Sequence, residues 1–457
     1  MRRLEHRLPE TRQGWIVAGF LAAALVLGGG GSPSAAAEII VQLAFVAAVA
    51  AWLWWGRTGD AVQALPHRAL VWLGAAIVGL PLLQLVPLPP ALWQALPGRE
   101  TLAAALAAVD GADHWRPLSV APFGTLAALL ALIPAVGAML ATSVLVRRDR
   151  RFLLLMTGLV ALAGAALGVL QMAGGGRRFR LYEISHDLWL TAFHASRNSA
   201  ADALLIGMLA LTAWFATGSR RRPLLRGDLG LLALCQAFLF VALVLTGSRA
   251  GIVLLVPVLL LQFAMLRCAD IARGLSNGLA SAAGLFALVV ILATAFSGNA
   301  RVAGALARFD ATRDSRIDLW RDTLTAIGQY WPLGSGIGTF PRAFLPVERL
   351  AAIDDLFPNR AHNDFLEFLL EAGALAPLVL ALGLTTMIHL GRRAWQAAAS
   401  ERPVTLFAVG TFVVTALHSI VDYPLRNMAL ATLAGIAAGL LGGVAHQGRE
   451  GRKTDAI

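Results

Sequence analysis

Residues 122–172 read PFGTLAALLALIPAVGAMLATSVLVRRDRRFLLLMTGLVALAGAALGVLQM, two long apolar runs on either side of Arg147-Arg148-Asp149-Arg150-Arg151. A helix needs about 20 apolar residues to cross the hydrocarbon, where no water can satisfy an exposed amide. Both runs meet that length. Short basic connections between spans stay in the cytoplasm, so the arginines between the runs set an orientation as well as a fold.

Outward from this pair the pattern repeats. Apolar runs fall at approximately 14–29, 38–55, 69–86, 122–146, 152–172, 198–217, 229–246, 250–266, 277–297, 371–390, 404–421 and 428–444, which predicts about twelve spans. The whole chain is 457 residues, 58% hydrophobic and 14% charged. A soluble domain carries about 25% charged residues, so an ordinary soluble fold is excluded. The expectation is an all-α polytopic membrane protein. Arg2, Arg3, Arg7 and Arg12 precede the first run, and Ser34-Ala35-Ala36-Ala37 resembles a signal-peptidase site. An uncleaved first helix is the preferred reading.

With the N-terminus in the cytoplasm, the inner segments hold 22 of the 38 basic residues, including Arg220-Arg221-Arg222. Both termini are then cytoplasmic. The net charge of +11 follows from topology and requires no nucleic acid. Cys235 and Cys268 lie in or beside apolar runs and make neither a disulfide framework nor a metal site. The expected layout is spans 1–9 over 1–297, a large outer loop over 298–370, and spans 10–12 with a cytoplasmic tail over 371–457. The outer segment 87–121 carries Pro87, Pro89, Pro90 and Pro97 and reads as a loop with short helical pieces. Ile317, Trp320, Leu324 and Ile327 recur at helical spacing, which predicts an amphipathic helix lying on the membrane surface.

Polar groups placed against the apolar trend are the informative ones. Arg197 opens span six on the outer side, and Arg249 sits in the turn Thr246-Gly247-Ser248-Arg249-Ala250-Gly251. Both break the positive-inside pattern. An arginine there can snorkel to the interface, or it can bind an anion, where a guanidinium grips phosphate bidentately and glycines admit backbone amides. Asp202 lies one turn from Asn198 on one helix face, and a carboxylate within the membrane needs a partner. Arg197 or Arg249 is the expected one.

A second cluster runs from Arg360 to Gly373, with apolar positions 365, 366, 369 and 370 at helical spacing. His362 then stands at a helix start, where the dipole disfavours its protonation and keeps it able to act as a base. It can equally serve only to cap the helix. No His-Glu-x-x-His spacing exists, and Asp364 and Glu367 do not share a face with His362, so no metal is expected. The glycines of 334, 336 and 338 read as a structural turn before a phosphate cradle, because no strand-to-helix setting surrounds them. His418-Ser419-Ile420-Val421-Asp422 contains the residue types of a hydrolase triad but no nucleophile elbow.

His362-Asn363-Asp364-Phe365-Leu366-Glu367 leading to Glu371-Ala372-Gly373 resembles the histidine motif of the O-antigen ligase and polymerase superfamily. Arg316-Ile317-Asp318-Leu319-Trp320, the proline and glycines of 332–338 with Phe340, Gly247-Ser248-Arg249-Ala250-Gly251, and His418 through Arg426 fall in that family's order. The resemblance implies a GT-C-type membrane glycosyltransferase without metal or cofactor. It would move a glycan from undecaprenyl diphosphate to an acceptor hydroxyl at the periplasmic face of the bacterial inner membrane, with inversion. His362 would be the base, and Arg197, Arg249 and Arg316 would hold the donor diphosphate, supported by Asn198, Asp202, Asn363, Asp364, Glu367 and Asp422. A ligase acting on the lipid A core is favoured over a repeat-unit polymerase or a protein O-glycosyl ligase. A secondary transporter is the alternative from another class, but it would place polar groups near the midplane in repeated halves.

Overall fold

The computed structural model describes residues 8–30, 35–55, 65–175, 178–219, 226–271, 316–353 and 357–454. Its long helices are α1 (Arg12–Leu27), α2 (Ala35–Trp55), α3 (Arg68–Gln84), α4 (Pro122–Ser143), α5 (Arg147–Ala173), α6 (Arg197–Ser219), α7 (Arg226–Leu245) and α8 (Arg249–Cys268). They continue with α9 (Arg316–Tyr330), α10 (Asp364–Ala372), α11 (Leu375–Ala397), α12 (Arg402–His418) and α13 (Met428–Thr454). The chain is an all-α polytopic membrane protein. Among the described residues, eight helices are long and apolar enough to cross a membrane: α2, α4, α5, α6, α7, α8, α11 and α13.

That number is below the twelve expected, for local reasons. α1, α3 and α12 have 16, 17 and 17 residues, ending before Gly28, Leu85 and Ser419 where the apolar runs continue in sequence. The expected span at 277–297 and the loop residues 298–315 lie outside the described residues. The run expected at 371–390 divides at Gly373, so that Glu371 and Ala372 belong to the end of α10 and the span itself begins at Leu375.

The arginine run that fixed the reading is not a connection. It forms the first turn of α5. Asp149 is buried there and accepts the amide of Glu10 at 2.6 Å and the hydroxyl of Thr11. Arg150 donates to the Leu145 carbonyl at 2.8 Å and lies 3.6 Å from Glu401. With these charges satisfied internally, the helix can start five residues before the apolar run does.

α6 and α13 form the centre. Their apolar windows are 89% and 83% buried, against 11% for α2, which turns its sides outward as a lipid-facing helix does. α13 approaches α4 through Gly435 and Gly439, where a Cβ would meet the carbonyls of Ala135 and Met139 at 2.3 and 2.4 Å. Small residues four apart are what lets two membrane helices bring their backbones together. A buried polar knot ties α6 to α7 and α8: Gln262 donates to the Met208 carbonyl and Thr212, and Gln236 to the Met208 carbonyl at 3.0 Å.

At one end of the bundle the chain is irregular. Residues 87–121 are a loop with helical pieces at Pro90–Trp93 and Glu100–Ala107, closed by pairing of Pro87–Leu88 with Arg116–Pro117. α9 is amphipathic, and part of the apolar face expected on the membrane surface is left uncovered by the protein. Asp322, Thr323, Ala326 and Tyr330 are buried, while Ile317 and Leu324 stay exposed. Tyr330 and Ala326 pack with Phe340, Phe344 and Leu370, so tertiary contact with α10 decides which face turns inward.

Candidate functional site

The site is built where α10 begins and α12 ends. α12 stops at His418, and the chain turns through residues 419–423 into a short 3-10 turn, Pro424–Arg426. The Asp364 amide donates to the Ser419 carbonyl at 2.9 Å. Its carboxylate accepts the Ser419 hydroxyl at 2.9 Å and the Leu425 amide at 3.2 Å. Asn363 is the N-cap of α10, its side chain accepting the amides of Phe365 and Leu366 at 3.0 Å. The helix therefore starts after His362, not at it. His362 has φ 49, a left-handed backbone that is uncommon outside glycine.

What orients His362 is a carboxylate from another element. Its Nδ1 lies 3.2 Å from Asp422 Oδ1, and its ring meets the edge of Tyr423 with centroids 4.9 Å apart. A carboxylate can only accept, so Nδ1 carries the proton and Nε2 is left with its lone pair. Asp422 also accepts the Tyr423 amide at 3.0 Å and the side-chain amide of Asn198, the second residue of α6. Burial would raise the Asp422 carboxyl. The hydrogen bond from His362 and the charges of His362, His418 and Arg316 outweigh it and hold the group well below the usual carboxylate range. Burial pushes Asp364 up to about 6, with the Arg426 charge opposing.

Arg197 and Arg316 are tied to this chain of contacts, and Arg249 follows a turn that packs on Trp189. Arg197 adjoins Asn198, and its guanidinium lies 5.2 Å over the Trp189 ring. Its Nε and Nη1 are buried without a hydrogen-bond partner. Arg249 is the first residue of α8, capped by the Ser248 hydroxyl, which accepts the Gly251 amide at 3.2 Å. A Cβ at Gly247 would sit 2.2 Å from the same Trp189 ring, so that glycine makes room for an indole. Trp189 thus lies between Arg197 and the turn that carries Arg249. Arg316 opens α9, and its charge reaches Asp422 and Tyr423.

Asp202 finds neither of its expected partners. Its Oδ1 lies 2.6 Å from His418 Nδ1, with both side chains about 1% exposed. The spacing held the signal: Asn198 and Asp202 are four apart on α6, and His418, the last residue of α12, is four before Asp422 in the turn that follows.

A second feature that sequence left without a role is Arg426. It lies 2.7 Å from Glu371, 3.4 Å from Glu367 and 3.6 Å from Asp364, and Arg360 adds a 2.8 Å contact to Glu367. Burial raises Glu371 despite the Arg426 charge, whereas Arg426 and Arg360 together bring Glu367 below its ordinary value against the same burial. Glu371 in turn accepts the amides of Gly338 and Phe340 at 2.9 and 3.3 Å, and its carbonyl accepts the Gly336 amide at 2.9 Å. The glycine amides are therefore committed within the protein, as a structural turn requires. Arg426→Leu is expected to destabilise the protein by about 3–5 kcal/mol, because it strands buried carboxylates. Thermal unfolding in detergent measures this, and an unchanged midpoint would show that the cluster carries no load.

No curated protein matches this chain. Arg197, Asn198 and Asp202 precede the stretch that a family comparison recognises, and His418 and Asp422 follow it, while Arg249, Arg316 and His362 fall inside. Residues 233–381, about a third of the chain, match the family model described as O-antigen ligase, in line with the resemblance to the O-antigen ligase and polymerase superfamily.

Proposed function

We propose that the protein is an inner-membrane glycosyltransferase of the ligase type, moving a glycan from undecaprenyl diphosphate to an acceptor hydroxyl at the periplasmic face. The single observation that carries this reading is the joined set His362–Asp422–Asn198 beside Arg197, whose buried guanidinium nitrogens lack a partner. A base with a free Nε2 and a cation with unspent donors are the two things the transfer needs.

In the reaction, His362 Nε2 takes the proton of the acceptor hydroxyl as its oxygen attacks the anomeric carbon. The new glycosidic bond forms as the bond to the diphosphate breaks, and the diphosphate leaves with the electron pair. One displacement inverts that carbon. Asp422 holds the imidazole in the required tautomer and stabilises the imidazolium that results. Arg197, Arg249 and Arg316 receive the charge that grows on the leaving diphosphate. Both termini lie in the cytoplasm, and the described residues of the large loop, 316–353 and 357–370, face the periplasm. The lipid A core is the favoured acceptor. A mutant strain decides among the related activities: long chains stranded on undecaprenyl mark a ligase, and single repeat units mark a polymerase.

Arg197→Ala tests the donor site. Losing a charged hydrogen-bond donor to an anion removes about 1.5–3 kcal/mol, so the KM for undecaprenyl-diphosphate glycan is expected to rise about 10- to 150-fold. Protein yield and unfolding temperature should stay near wild type. An unchanged KM would remove Arg197 from the diphosphate site.

A further inference from the structure

The buried pair Asp202–His418 takes no direct part in the chemistry above, yet it sits within the membrane-embedded bundle, where ionisable groups are costly to keep. Asp202 is four residues after Asn198 on α6, and His418 is four before Asp422. The Asp422 amide donates to the His418 carbonyl at 2.9 Å. The two helices are therefore joined by two rungs one turn apart, Asn198–Asp422 above and Asp202–His418 below. Only the upper rung touches His362.

The lower rung is also incompletely satisfied. Asp202 Oδ2 and His418 Nε2 are buried without a hydrogen-bond partner. A pair kept solely to join two helices is served as well by apolar residues of similar volume, often with a gain in stability. This one retains its polar atoms at a cost, next to a carboxylate that must be aimed within a fraction of an ångström.

We infer that Asp202 and His418 are a positioning pair, fixing the end of α12 against α6 so that the Asp422 carboxylate meets His362 Nδ1. The inference rests on the transferase reading. The pair acts through Asp422 and contacts neither donor nor acceptor.

Purified wild-type protein with undecaprenyl-diphosphate glycan and acceptor supplies the reference. Absence of any transfer there would sink the transferase reading itself. With wild type active, Asp202→Asn and His418→Leu are expected to lower kcat about 10- to 100-fold, the order of loss when a group supporting a functional side chain from behind is removed. The KM for donor should stay within about twofold, since the diphosphate contacts are elsewhere. His418→Asn, whose amide donates from nearly the position of Nδ1, is expected to recover most of the rate. In an Asp422→Asn background, Asp202→Asn should cost little more, because residues acting as a unit are not additive. Gln262→Leu, in the polar knot away from the site, serves as the control that loses stability with wild-type kcat. Three results would each overturn the inference: a wild-type kcat for Asp202→Asn, a loss shared equally with KM, or full additivity with Asp422→Asn.

Discussion

Protein carrying His362→Gly is expected to fold, to bind the lipid-linked donor, and to turn over about 10²–10⁴-fold more slowly than wild type. The rate loss is that of a missing base, the role proposed for His362 Nε2. Glycine is the informative replacement because His362 has φ 49. A side chain in that region costs about 1–3 kcal/mol, and glycine removes the strain while adding about 0.4–1 kcal/mol of unfolded-state entropy. Thermal stability is thus expected to hold or rise as activity falls. Alanine keeps the strain and loses the base, so it should match glycine in rate and fall below it in stability. Equal transfer by either variant and wild type would end the assignment of His362 as the base.

Asp422→Asn is the second large effect. Every group facing Asp422 is a donor: His362 Nδ1, the Tyr423 amide and the Asn198 side chain. An asparagine keeps the shape but loses the charge, and it turns an NH2 toward one of those donors. Asn198 can reverse its own amide to accept, so the structure survives. The imidazolium formed during transfer then has no counter-charge. A charged hydrogen bond is worth about 1.5–3 kcal/mol, and its loss in the transition state lowers kcat about 10- to 150-fold with little change in donor KM. A fall in KM-limited rate alone would instead place Asp422 in donor binding.

The membrane architecture was legible because hydropathy is a local property, read within windows of about 20 residues. Helix ends were less so. The apolar runs at 14–29 and 404–421 continue past Gly28 and Ser419, where the helices have already ended. The arginines at 147–151 read as a loop because their partners, Glu10, Thr11 and Glu401, are remote in sequence. The same limit governs the site. His362 was singled out correctly as a titratable residue near a helix start, but its partner lies 60 residues away. Asp202 needs a counter-group by its place in an apolar helix, but that group is a histidine 216 residues distant, which no local window reaches. Spacing shows that two residues share a face; only the packed helices show which faces meet.

α10 has a consequence of its own. It is a nine-residue strut fastened at both ends to different parts of the chain. Its first turn is pinned to the 419–425 turn by Asp364, and its last residues are pinned to the 336–340 turn by Glu371. His362 rides on the near end of that strut, while Asp422 belongs to the post it leans on. The contact between base and carboxylate therefore doubles as a gauge of how the strut is seated. A push on the far turn would therefore alter the reach of His362 without touching it.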